Sequence, residues 1–213
     1  MRLGDSGTDL IDGEFGSDQI DAGYGNDTVY GGGDADLIYG YYGADILAGN
    51  DGSDVIYGES DNDTLYGYNG DDTLYGDGDG TYDAGIGRDV LSGGAGNDFL
   101  NGGGDNDLYI FNFTYDGIDR IGDSSGEYDQ LTVAGVTNIS QLNFYTGTAA
   151  FKDSSSLVIA TAVEAADGIL SEYIEIQNFW LGSSGIGTGR IEYLQVGSSY
   201  YWLSTYAESH LIY

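Results

Sequence analysis

The chain contains no cysteine and no proline, one methionine and one histidine among 213 residues. Without thiols there are no disulfides and no thiolate metal sites, so outside a reducing compartment its stability must come from something other than cross-links. Positive charge is scarce as well. Five Lys and Arg stand against 36 Asp and Glu, a formal net charge of -31, which argues against nucleic acid or an anionic lipid surface as partner. No apolar run approaches the roughly 18 residues that cross a membrane. Only Met1, Arg2 and Leu3 precede the first regular segment, too few for an N-terminal secretory signal. The expectation is a piece of something longer, or export directed from the other end. A catalytic constellation is missing too. His210 stands alone near the C-terminus, and there is neither a nucleophile elbow nor a His/Cys spacing of the zinc type.

What the chain has is glycine, aspartate and tyrosine in strict order. From Gly4 to Tyr75 eight nine-residue units run without a gap: GDSGTDLID, GEFGSDQID, AGYGNDTVY, GGGDADLIY, GYYGADILA, GNDGSDVIY, GESDNDTLY and GYNGDDTLY. Three more follow in the same register at 84–92, 93–101 and 102–110. Column six is Asp in all eleven: Asp9, Asp18, Asp27, Asp36, Asp45, Asp54, Asp63, Asp72, Asp89, Asp98 and Asp107. Column eight is apolar in all eleven, from Ile11 to Tyr109. Column one is Gly or Ala, and column four is Gly except at Asp34, Asp61 and Asp105. A flexible Gly/Asp linker has no reason to keep an apolar residue in phase.

Each unit divides into a six-residue loop and a three-residue strand whose middle side chain points inward. Glycines at columns one, two and four permit positive φ and a sharp bend. A strand so short is unstable alone. Stacked coils align the column-eight side chains into a narrow shared core while each backbone pairs with the coils above and below. The loops place one carboxylate each beside glycine carbonyls. Such hard oxygen donors suit Ca²⁺ better than the small, octahedral Mg²⁺. Residues 1–110 hold 24 Asp and Glu against two Arg, a charge of -22, and this opposes compaction unless something neutralises it.

These units resemble the glycine- and aspartate-rich nonapeptide of RTX (repeats-in-toxin) proteins, GGxGxDxUx with U a large apolar residue. The resemblance implies an all-β fold: a right-handed parallel β-roll over 1–110, two units per coil, continued over 111–213 by a β-rich capping and folding region. It implies Ca²⁺ between loops two units apart, at about seven or more sites. The ligands would be column-six Asp side chains eighteen residues apart, Asp9 with Asp27 through Asp54 with Asp72 and then Asp89 with Asp107. Loop carbonyls such as those of Gly13, Phe15, Gly31, Gly33, Gly49, Asp51, Gly93 and Ala95 would complete them. In the family any catalysis belongs to a separate upstream domain, and type I secretion is directed by an uncleaved C-terminal signal.

Three further features bear on function. Between units eight and nine the pattern slips: GDGDGTYD, residues 76–83, has no Asp at column six, which predicts a bulged coil with Tyr82 replacing the apolar residue and an altered or absent metal site. Column nine carries Tyr39, Tyr57 and Tyr75 on one face and Tyr30 and Tyr66 on the other. These ladders are either an exposed sheet rich in good strand formers or a surface covered by another domain or another copy of the chain. The first coil has no capping element ahead of it, which is what truncation would produce and also what a subunit that stacks its open end on another copy would use. After Tyr109 the repeat ends, and strand-like runs appear at Gln130–Val136, Leu142–Tyr145, Leu157–Val163, Tyr173–Phe179, Arg190–Val196 and Tyr200–Leu203. Trp180, Tyr200, Tyr201 and Trp202 are either sugar-stacking aromatics or buried anchors.

The two glycine runs GGAGND at 93–98 and GGGDND at 102–107 look like phosphate loops but sit in phase with the repeat, with no helix to follow. Paired carboxylates can hydrolyse glycosides, yet carboxylates that coordinate a cation do not serve as a general acid. The sequence reading is therefore a non-enzymatic, calcium-binding structural module. It is expected to be secreted to the bacterial cell surface or beyond, to fold there on Ca²⁺ binding, and to belong to an adhesin, filament or other self-assembling surface protein. The alternative is the C-terminal secretion and folding domain of a secreted enzyme or toxin.

Overall fold

The computed structural model describes residues 1–78, 86–123, 128–146, 156–161, 173–177, 191–203 and 210–212. Its first strands are β1 (Arg2–Leu3), β2 (Leu10–Asp12), β3 (Gln19–Tyr24), β4 (Thr28–Gly33), β5 (Leu37–Tyr42) and β6 (Ile46–Asp51). Then come β7 (Val55–Ser60), β8 (Thr64–Asn69), β9 (Thr73–Tyr75), β10 (Val90–Ala95), β11 (Phe99–Asn101) and β12 (Leu108–Asn112). Odd strands form one parallel sheet and even strands the other. Ile20 pairs with Ile38 and Ile38 with Ile56, while Val29 pairs with Leu47 and Leu47 with Leu65. Two units therefore make one coil, and the fold is an all-β parallel β-roll.

Most strands are six residues long rather than the expected three. Each runs on into the glycine-rich start of the next unit, where Gly23 pairs with Tyr41 and Tyr24 with Tyr42. The reason is that successive coils turn the same corner, so the hydrogen-bond ladder survives the bend. Column two makes that corner at positive φ even without glycine: Glu14, Tyr41, Asn50, Glu59 and Tyr68 lie between 69° and 79°. Column-one glycines, by contrast, do not have positive φ; they serve by leaving space. A Cβ on Gly40 would sit 2.5 Å from the Asp45 carboxylate and 2.6 Å from the carbonyl oxygen of Gly58.

The core is the column-eight stack. Ile20, Val29, Ile38, Leu47, Ile56, Leu65, Leu74, Leu91, Leu100 and Tyr109 are all buried, with Ile11 partly buried at the open end. The irregular segment does not interrupt it. Leu65 pairs with Leu91 and Leu74 with Leu100, so the insertion at 76–83 shifts the register along the chain without breaking the stack. Tyr82 lies outside the described residues.

Both sheets run on beyond residue 110. The later elements are β13 (Ile118–Ile121), β14 (Asp129–Ala134), a 3₁₀ turn (Ile139–Gln141), β15 (Leu142–Thr146) and β16 (Leu157–Thr161). They are followed by β17 (Tyr173–Ile176), β18 (Ile191–Val196), β19 (Ser199–Trp202) and β20 (Leu211–Ile212). Each strand-like run read from the sequence carries a strand, whereas β13 and β20 come in addition to them. Parallel pairing continues from β11 to β13 to β17 and from β12 to β14 to β18, and antiparallel partners then take over in β15, β16 and β19. The inward column continues as Leu100, Ile121 and Ile176 in one sheet and Tyr109, Leu131 and Leu194 in the other. Phe111, Phe113 and Phe144 thicken the core here.

The tyrosine ladder is present. Tyr39 stacks on Tyr57 at 5.1 Å and Tyr57 on Tyr75 at 4.9 Å, with ring planes nearly parallel, and a second pair, Tyr24 on Tyr42, stacks at 4.8 Å. At the far end Tyr201 packs against the core, while Tyr200 and Trp202 are exposed and Trp202 lies 4.4 Å from Tyr193. Trp180 is outside the described residues.

Candidate metal centre

The repeat puts its column-six aspartate two residues ahead of an inward apolar side chain, at the end of a loop and the start of a strand. Stacking at a fixed interval turns these positions into two vertical files, one at each edge of the roll. Within a file each carboxylate accepts a hydrogen bond through Oδ1 from the backbone N–H of the aspartate one coil earlier. Asp9 N donates to Asp27 at 2.8 Å, Asp27 to Asp45 at 2.7 Å and Asp45 to Asp63 at 2.8 Å. On the other edge Asp18 N donates to Asp36, Asp36 to Asp54 and Asp54 to Asp72 at 2.7, 2.7 and 2.8 Å.

Four steps depart from the spacing of eighteen. Asp63 N reaches Asp89 and Asp72 N reaches Asp98 across the irregular segment, both at 2.8 Å. The two aspartate files are thus continuous across the irregular segment. After Asp89 N to Asp107, Asp98 N donates to Asp119 at 3.0 Å and Asp107 N to Asp129 at 2.8 Å. Asp119 and Asp129 lie outside the nonapeptides, and the repeat count misses them. A signal exists: each stands two residues before an inward apolar residue, in Asp119-Arg120-Ile121 and Asp129-Gln130-Leu131, at separations of 21 and 22 residues. One file ends on a glutamate, where Asp129 N donates to Glu192 Oε2 at 2.8 Å.

The second carboxylate oxygen is the telling atom. Oδ2 of Asp27, Asp36, Asp45, Asp54, Asp63, Asp72, Asp89, Asp98, Asp107, Asp119 and Asp129 is buried and has no hydrogen-bond partner. Among the described residues none of these carboxylates forms an ion pair. A buried unpaired carboxylate is costly unless it is protonated or meets a cation. Burial pushes the carboxyl of Asp45 up to about 7, Asp54 to about 6, Asp63 to about 9, Asp72 to about 8 and Asp107 to about 8. The backbone N–H bonds oppose that rise, and neighbouring carboxylates add to it. Asp89 and Asp98 rise to about 7 and Asp119 to about 9, again mainly through burial.

The surroundings of Oδ2 suit a hard cation. It faces the column-one glycine of its own unit together with the carbonyl of the column-one glycine one coil on: Gly49 O beside Asp36, Gly58 O beside Asp45, Gly76 O beside Asp63 and Gly93 O beside Asp72. The space that a glycine side chain leaves is thus bordered by a carboxylate and a carbonyl oxygen. At the first loop of one file a positive group of the chain itself takes this kind of position. Arg2 Nη2 donates to Gly13 O at 2.7 Å, and Arg2 Nε lies 3.9 Å from Asp18 Oδ2.

The other expected carbonyls are placed as follows. Gly31 O lies over the column-one position of Gly13. Ala95 O accepts from Gly70 N at 2.8 Å. Phe15 and Gly33 bridge to one another, and Asp51 closes β6. Asp9 and Asp18, at the open end, are less buried than the aspartates that follow. His210 is exposed.

Stacked loops lined by unpartnered oxygens define a cation-binding parallel β-roll. The profile of the RTX calcium-binding nonapeptide repeat matches residues 3–38, 39–74 and 74–109, half of the chain. The chain belongs to this family and is a calcium-binding structural module. No curated protein matches it. The matched family is a calcium-binding repeat rather than a catalytic domain, and its members are typically bacterial and extracellular. Among the described residues no helix is long and apolar enough to cross a membrane.

Proposed function

We propose that the column-six aspartates from Asp27 to Asp89 hold Ca²⁺ through Oδ2, each with the column-one glycine carbonyl of the next coil, that Asp98 and Asp107 carry the two files on to the last coils, and that this binding folds the roll. The observation that carries the reading is the run of buried, unpartnered Oδ2 atoms. Asp9 and Asp18 belong to the same files but stand at the exposed first coil, where Arg2 already reaches Asp18. Bound Ca²⁺ would neutralise the carboxylate files and replace their missing hydrogen bonds. Extracellular modules bind Ca²⁺ with Kd of about 10⁻⁴ to 10⁻³ M. Ligand at ten times Kd adds about 1.4 kcal/mol per site, so several sites together rival the total stability of a domain, about 5–15 kcal/mol. Residues 1–110 then form the calcium roll and residues 111–213 the cap that closes it. The chain stays unfolded in calcium-poor cytosol, leaves by type I secretion and takes its shape outside.

Once folded, it serves in an adhesin, filament or other surface assembly. The stacked tyrosine face supports that role. Far-ultraviolet circular dichroism in EGTA and then in excess CaCl₂ tests the calcium switch. At neutral or alkaline pH the full β signal is expected to appear only with calcium; a full β signal in EGTA under those conditions would refute it. Sedimentation with calcium tests assembly, and monomers throughout would remove that part.

A further inference from the structure

We propose that Asp107, Asp123 and Asp129 hold one further hard divalent cation of the Ca²⁺ class, at the seam between the last nonapeptide and β14, with Tyr109 as its positioning residue. The site rests on the calcium reading of the repeats but is not encoded by them, since Asp123 and Asp129 lie beyond the last unit. One ligand oxygen from each of the three carboxylates lies within 4.8 Å of the others, and all three residues are buried. Like charges held so close in a buried place repel unless a cation lies between them. Two of these groups are visibly incomplete. Asp107 gives Oδ1 to the N–H of Asp89, and Asp129 gives Oδ1 to the N–H of Asp107, while Oδ2 of both is buried with no hydrogen bond.

The third carboxylate replaces a glycine. Leu100 pairs with Ile121, so Asp123, two residues after Ile121, stands where Gly102 stands after Leu100. In the repeats this column offers only a carbonyl; here it offers a carboxylate as well. Column eight changes beside it. Tyr109 is the one non-aliphatic residue in that column, and its buried hydroxyl accepts from Gly102 N at 2.7 Å and donates to Asp123 Oδ2 at 2.6 Å. The Asp107 Oδ2 lies against the same Gly102. A phenol inside an aliphatic stack is explained by the carboxylate it orients. Three carboxylates rather than one make this the tightest site of the chain, because Ca²⁺ affinity rises with ligand charge and rigidity.

The test uses the full chain. Lanthanide-soaked crystals should show an anomalous peak among the three carboxylates in addition to peaks in the repeat loops. In a chelator titration followed by elemental analysis, this ion should leave last. Asp123→Asn should lower the number of tightly held Ca²⁺ by one per chain, and Tyr109→Phe should weaken that same ion by about tenfold, as loss of an outer hydrogen bond does at metal sites. Peaks in the repeat loops with none at the seam, or a calcium count unchanged in Asp123→Asn, would overturn the seam site and leave the repeat sites standing. No peak anywhere would overturn both. Should Asp123→Asn fail to fold, the map of the unaltered chain decides.

Discussion

Residues 4–110 and residues 111–213 are built on the same two sheets, yet they hold together differently. In the first region each coil contributes two small inward side chains, and the core is one column thick on each side. In the second, Phe111, Phe113, Phe144, Ile159 and Ile174 add apolar bulk, and antiparallel strands replace the parallel stack. The acidic files fade over the same stretch, ending at Asp119 on one edge and at Glu192 on the other. Where the greasy interior grows, the carboxylates stop. The contrast teaches that the roll relies on its edges and the cap on its middle.

Calcium removal should break that contrast most sharply. With a chelator, hydrogen exchange at β3 to β8 is expected to accelerate by orders of magnitude, while β14, β16 and β18 keep more of their protection. Equal loss across both regions would mean that the cap has no stability of its own. Acidity should act next, and only on the metal-free chain. The folded-state pKa values of Asp63, Asp72 and Asp107, about 9, 8 and 8, lie above the ordinary 3.8. A raised pKa means that folding takes up protons, so the stabilisation is complete below about pH 4, declines as pH rises, and is gone once pH has passed through the folded-state values of about 8 to 9. In EGTA the β signal should therefore be greater at about pH 5 than at about pH 9, and a flat or reversed profile would contradict the burial of the files.

A pair of glycine substitutions sharpens the comparison at smaller scale. Gly70 has φ of 127° and its Cβ would overlap the Gly52 carbonyl, whereas Gly197 has φ of 59° and meets nothing nearer than 3.6 Å. Gly70→Ala must shift a neighbouring coil and is expected to cost more than about 3 kcal/mol, beyond the strain of one unusual backbone conformation. Gly197→Ala should cost about 1 kcal/mol, the left-handed penalty alone. Calcium-saturated thermal melts check both; similar losses would show that coils are no more tightly nested than the cap.

The roll is legible in the sequence because the repeat enforces one environment eleven times, and a column reads its own meaning. The column-six aspartates and the column-eight core follow directly from that. Strand length is not legible in the same way, because glycine reads as a loop residue while nested coils let glycine-rich corners keep their pairing. Asp119 and Asp129 escape because the fold preserves vertical position and the chain does not preserve spacing: 21 and 22 residues separate them from their partners. Asp123 carries no periodic signal at all. Only the stacking of Ile121 over Leu100 reveals what it replaces.

The irregular segment has a consequence of another kind. Eight surplus residues enter the chain here without disturbing a single rung, since Asp63 still meets Asp89 and Asp72 still meets Asp98. Such a scaffold tolerates extra length at its rims. A peptide inserted between Gly78 and Ile86 would leave both of these rungs in place, which makes this corner a ready one for an engineer.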